Sequence, residues 1–157
     1  MKKYVSFLLL MISMMSNGQK FVEAEHYKTS NFDVAIFPDN YFDLIGNKRF
    51  TPLKQDVLLA ESVLKTRLKQ LNKDLINQFD KPIIHKKLHK YKRQYFGCFD
   101  ENGRKYLLIN CFWFNKGNHE NWLKQRIDVL DGGSYYWNVR YYFDTDKLEK
   151  LEVNGVG

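Results

Sequence analysis

The residues of this chain that come nearest to known chemistry are its histidines. His119-Glu120-Asn121-Trp122-Leu123 begins like the metallopeptidase string in which two His one helical turn apart hold zinc and a Glu polarises water. Leu123 stands where the second His must be, so the match fails. His85 and His89 do have i, i+4 spacing, which puts both imidazoles on one face if residues 82–90 are helical. Lys81, Lys86, Lys87 and Lys90 surround them with positive charge, Asp80 is the nearest carboxylate, and zinc takes about three or four protein ligands. No metal is expected there. Metal-free catalysis needs a nucleophile with a base, or two carboxylates in one cavity. Asp128 and Asp131 sit near a turn and His119 in the loop before it, with nothing to join them. A Gly-rich phosphate loop and a Gly-x-Ser-x-Gly elbow are both missing, and no cofactor is expected.

Two groups of residues suit non-covalent binding instead. The run His85 to Arg93, HKKLHKYKR, is the most concentrated basic segment. Through Lys86, Lys87 and Lys90 it could contact an anion, with Tyr91 or Tyr95 stacking on a base or sugar. Its alternative is a solvated helix face leading into an edge strand, where lysines discourage sheet-to-sheet aggregation. Aromatic residues make up 16% of the chain, and most of them belong in the core or in cross-strand pairs. Tyr136, Arg140 and Tyr142 fall on the strand face opposite Trp137, however, and form a candidate aromatic and cationic strip for a peptide or a glycan. The same strip is what a second layer or a dimer interface would bury.

These groups must be held by elements that the hydrophobic pattern marks. Thr51-Pro52 reads as the start of a helix, Thr as N-cap and Pro at the first helical position. Leu53, Val57, Ala60, Leu64, Leu68, Leu71 and Leu75 then make one apolar stripe. Lys54, Glu61, Lys65, Lys69 and Lys73 are assigned to the water side. Asp80-Lys81-Pro82 ends the helix. From Tyr91 the period becomes two. Residues 91–99 and 105–114 flank Asp100-Glu101-Asn102-Gly103-Arg104, a hairpin signal. Residues 124–130 and 134–143 flank Asp131-Gly132-Gly133, read as a second hairpin, and Asp144-Thr145-Asp146-Lys147 leads into a last strand, 148–153. On the fourth of these strands Tyr135, Trp137, Val139, Tyr141 and Phe143 should face the helix. Before the helix the signals are weak: a strand at 32–37 closed by Pro38-Asp39-Asn40, and a turn at Leu44-Ile45-Gly46-Asn47. With Asn102-Gly103 as the turn centre, Cys98 faces Leu107 and Cys111 faces Gln94. The sulfurs are then about 13 Å apart along the ribbon at ~3.3 Å per residue, too far for a disulfide. Both cysteines are expected as buried thiols.

The first residues supply an address. Lys2 and Lys3, an apolar run from Val5 to Met15 and Ser16-Asn17-Gly18 have the three parts of an export signal, cleaved ahead of Gln19. The apolar run is shorter than the roughly 20 residues a membrane helix needs. Residues 1–18 are therefore read as a signal peptide and 19–157 as one domain, in the periplasm or outside the cell, with no stable membrane anchor after cleavage. Cleavage removes two lysines and takes the net charge from +7 to +5. That charge is moderate and serves solubility, and export makes nucleic acid an improbable partner.

A helix followed by antiparallel strands is an α+β arrangement. Over about residues 51–154 it resembles the cystatin-like and NTF2-like rolls, and YYWNVRYYFDTDKLEKLEVNG is similar to the last hairpin of a PepSY-type unit. With the leader, the order of elements is similar to that of small exported bacterial proteins of uncharacterised function. The resemblance implies one long N-terminal amphipathic helix on a curled antiparallel sheet of about four to five strands. Cystatins inhibit proteases through a Gln-x-Val-x-Gly hairpin and a Pro-Trp hairpin; neither occurs here, and no Pro follows Pro82. NTF2-like rolls host isomerases and hydrolases in a pocket between helix and sheet. The expected function is thus non-enzymatic binding of a protein or peptide, a glycan being possible, with a small enzyme as the alternative.

Overall fold

The computed structural model describes residues 22–41 and 48–156; the leader, the cleavage site and the turn at 44–47 lie outside them. The described chain is α+β. Its strands are β1 (Glu25–Lys28), β2 (Asp33–Phe37), β3 (Arg49–Phe50), β4 (Tyr91–Phe99), β5 (Lys105–Trp113), β6 (Tyr136–Tyr142) and β7 (Lys147–Val153), and its helix is α1 (Lys54–Leu71). Three 3-10 turns, Ile84–Lys86, Leu88–Lys90 and Gly133–Tyr135, complete it. One seven-stranded sheet runs β1-β2-β4-β5-β6-β7, with β3 also on β4. This exceeds the four or five strands expected, and α1 follows three strands instead of leading.

The weak signals before residue 51 account for the difference. Thr29 folds a tight turn by accepting from the backbone N–H of Asn31 and Phe32 at 3.1 and 3.2 Å, which joins β1 to β2. Strand β2 (DVAIF) then lies parallel to β4, Val34 opposite Arg93 and Phe37 opposite Phe96. Parallel neighbours need a long crossover, and α1 lies within it. Strand β3 continues along β4 past the end of β2, opposite Gly97 and Cys98. A Cβ on Gly97 would come within 2.2 Å of the Phe50 carbonyl oxygen, so only glycine lets β3 approach.

Helix α1 starts two residues later than its sequence suggests. Leu53 is the N-cap residue, its N–H satisfied by the Asp56 carboxylate at 2.9 Å, while the Thr51 hydroxyl instead accepts from the Asp39 N–H. The buried face is Val57, Ala60, Val63, Leu64 and Leu68; Leu53 and Leu75, the ends of the expected stripe, are exposed. The four larger side chains contribute about 1.5–3 kcal/mol each by burial. They pack on the inner sheet face with Tyr91, Tyr95, Leu107, Ile109, Trp137, Val139 and Tyr141. The alternation read in this strand therefore holds for Trp137, Val139, Tyr141 and Phe143, whereas Tyr135 lies in the 3-10 turn before β6 and packs against the outer cluster.

The expected second hairpin does not form. β5 pairs directly with β6, Tyr106 opposite Tyr142 through Phe112 opposite Tyr136. Residues 114–135 fold back across the outer face, an arrangement that no local pattern indicates. Trp122 and Ile127 pack there against Phe37, Phe96, Phe112, Tyr136 and Tyr142. Asp131-Gly132-Gly133 opens a 3-10 turn, Gly132 and Gly133 both having positive φ. The Asp144–Asp146 turn does join β6 to β7. In the first hairpin Phe99 pairs with Lys105 and Cys98 with Tyr106, one residue from the expected register. This shift puts Cys98 in the outer cluster and Cys111 in the inner one. The two buried thiols are thus separated by the sheet itself as well as by distance.

Candidate functional site

The strip expected from alternation is on the predicted face but not at the surface. Tyr136 is 8% and Tyr142 1% exposed, both under or beside the 114–135 segment. The Tyr136 hydroxyl donates to the Lys116 carbonyl, and His119 Nε2 lies 3.1 Å from that hydroxyl. Arg140 is half-buried, its guanidinium 4.9 Å from the Tyr106 ring. No open aromatic strip exists there because the long β5–β6 connection is the second layer. His119 is itself buried among Phe112, Phe114 and Tyr136, and that burial lowers its pKa. It borders a recess of about 400 Å³ formed by residues 114–120; Asp128 is exposed elsewhere.

The basic run is divided by the fold. Residues 84–90 form two separate 3-10 turns, so His85 and His89 do not share a continuous helical face. His85 Nδ1 is 3.0 Å from the Asn72 amide nitrogen, and its pKa is lowered by burial and by Lys86 and Lys69. Lys86, Lys87 and Lys90 are exposed. The strand they lead into is not an edge: β4 has neighbours on both sides. Among the described residues no three His, Cys, Asp or Glu side chains gather to hold a metal ion.

A concave feature with a buried charged residue in its lining lies between α1 and the start of β4, with a volume of about 470 Å³. Leu58, Glu61, Ser62 and Lys65 of α1 form one wall. His85, Lys86, Leu88 and His89 from the 3-10 turns form the second, and Asn31 and Phe32 of the β1–β2 turn close one end. Arg93 is also part of the lining. It occupies an inward position of β4 between Tyr91 and Tyr95, where alternation otherwise supplies core, and is 1% exposed.

Three side chains meet here. Arg93 Nε lies 3.4 Å from Glu61 Oε1, Tyr95 donates its hydroxyl proton to the same oxygen at 2.7 Å, and Arg93 Nη2 donates to the Leu88 carbonyl at 2.8 Å. Neither Nε nor Nη1 has a hydrogen-bond acceptor among the described residues. Burying a guanidinium with donors unmade is costly. Desolvation raises the Glu61 pKa against the opposing pull of Arg93 and the Tyr95 hydrogen bond. Burial first, then the Glu61 charge, lifts Tyr95 well above the usual phenol value, so it stays a donor.

Of the residues expected to bind, this groove gathers Lys86 and leaves out Lys87, Lys90, Tyr136, Arg140 and Tyr142. Its central pair, Arg93 and Glu61, is not among them. The assignment of Glu61 to the water side of α1 is overturned, since its side chain is 10% accessible and faces Arg93. The signal for this is the spacing of Val57, Glu61, Leu64 and Leu68 by 4, 3 and 4, which places Glu61 beside the apolar stripe and not opposite it. Arg93 shares the inward parity of Tyr91 and Tyr95. Protein-family models, curated proteins and solved structures were all compared with this chain, and none matches it.

Proposed function

We propose that this chain is an exported binding protein that works without covalent chemistry and seats its ligand in the groove between α1 and β4. The observation that carries this reading is Arg93, a buried cation in the lining of an open cavity whose Nη1 has no hydrogen-bond acceptor among the described residues. Ligand pockets run to about 300–1,000 Å³ and combine an apolar lining with a few fixed polar groups; here Phe32, Leu58 and Leu88 stand around Arg93 and Glu61. A groove of this size takes a small molecule or the end of a peptide, not a folded surface. Export is proposed on the three-part pattern of residues 1–18, and purified envelope or secreted material should begin near Gln19 by mass.

The test is a thermal-shift screen of anionic, neutral and cationic metabolites against the chain and against Leu58→Trp. Leu58 is exposed at the groove wall, so the larger ring fills the groove without entering the core. Hits should stabilise the parent and not the variant; hits that stabilise both equally would move the site elsewhere. A second reading, a small enzyme, is favoured by Glu61, a carboxyl of raised pKa inside a cavity. Turnover of a bound hit, seen by mass spectrometry and lost in Glu61→Gln, would decide for it.

A further inference from the structure

We propose that the ligand of this groove is an amphiphilic carboxylate whose head accepts from Arg93 and whose apolar body lies on Phe32, Leu58 and Leu88; this rests on the groove being the binding site. Charge sets the sign. The lining carries Lys65, Lys86 and Arg93 against one carboxylate, Glu61, so the field at its mouth favours an anion. Guanidinium pairs with carboxylate through planar N–H donors, and the pairing strengthens where water is excluded. Arg93 Nη1 is such a donor, without an acceptor among the described residues; it has almost no accessible surface, so a carboxylate reaches it by displacing the side chains that cover it. A single negative charge fits better than two. Glu61 already offsets part of the buried charge, and the lysines that would balance a dianion are exposed at the rim. The apolar residues around the head then require a hydrocarbon or aromatic body.

A free acyl chain and the C-terminus of a peptide both present this chemistry. The probes are therefore octanoate and N-acetylphenylalanine, each compared with its primary amide, and inorganic phosphate. They are titrated calorimetrically into the full mature chain, into Leu58→Trp and into the double variant Arg93→Met/Glu61→Gln. The double variant removes both charges together and leaves neither one buried alone. At least one carboxylate should bind, at least tenfold more tightly than its amide and more tightly than phosphate. That preference should be lost in the double variant, and binding should weaken at least tenfold in Leu58→Trp. Octanoate alone would identify an acyl ligand, and N-acetylphenylalanine alone a chain end. Amides binding as well as acids, phosphate binding best, no probe binding, or an unchanged preference in the double variant would each overturn the carboxylate assignment while leaving the groove in place. Full binding by Leu58→Trp would instead overturn the groove.

Discussion

Glu61 is an acid whose environment reverses what its type suggests on a lysine-rich helix. Its side chain is 10% accessible and paired with Arg93, yet desolvation outweighs that partner and raises its pKa above the usual 4.5. A folded-state pKa above the unfolded one means that the folded state binds the proton more tightly. The contribution of Glu61 to stability is then fully present below the unfolded pKa and lost as pH rises through the folded value. The melting temperature of the parent minus that of Glu61→Gln should therefore fall from acid to neutral pH. A difference that rises with pH would show that Arg93 wins. Gly97 makes a second case at this scale. Gly97→Ala forces a Cβ onto the Phe50 carbonyl, and overpacking of this kind costs about 1–3 kcal/mol. Urea unfolding should register that loss, whereas Gly103→Ala meets no neighbour within 4 Å and is strained only by its positive φ.

At the level of elements, the 114–135 segment takes its place from two buried amides. Gln94 Nε2 donates to the carbonyls of Trp122 and Gln125 at 2.7 and 2.8 Å. Its oxygen accepts from the Ile127 N–H and from Asn110. Asn110, directly opposite on β5, donates also to the Ile127 carbonyl at 2.7 Å. A polar pair in the middle of a sheet thus satisfies the backbone of an irregular segment that has no strand partner. Gln94→Leu leaves those groups buried and unpaired, at about 1–3 kcal/mol for a buried group without a partner. We expect that loss in urea unfolding, together with faster amide hydrogen exchange confined to residues 120–128. Uniform exchange across the sheet would mean that the segment and the sheet open as one. This pair also explains why 124–130 reads as a strand: Ile127 and Val129 have strand-like spacing, but their partners are side chains, which periodicity does not register.

For the molecule as a whole, the sheet is a wall between two clusters, one under α1 and one under residues 114–135. Cys111 lies in the first and Cys98 in the second, and burial raises the pKa of both thiols. Native protein should therefore react with a thiol reagent only on the timescale of unfolding, and its melting temperature should be the same in oxidising and reducing buffer. Rapid modification of either cysteine in the folded state would contradict the two-cluster arrangement. The helix face, the first hairpin and the inward set of β6 are legible in the sequence because each follows a local period. The groove is not, because its walls come from residues 31–32, 58–65 and 85–93, three segments that the parallel pairing of β2 with β4 and the packing of α1 on the sheet bring together.

The α+β class, the amphipathic helix, the 91–113 and 136–153 hairpins and the inward direction of Trp137, Val139 and Tyr141 follow from local patterns in the chain. These depend on periods of about 3.6 and 2 and on turn chemistry within a few residues. The strand count, the burial of Tyr136 and Tyr142 and the meeting of Glu61 with Arg93 are set by tertiary packing. Those outcomes depend on which segments cover which face, and a charged side chain that is solvated on an isolated strand becomes a buried one only when a distant helix packs across it.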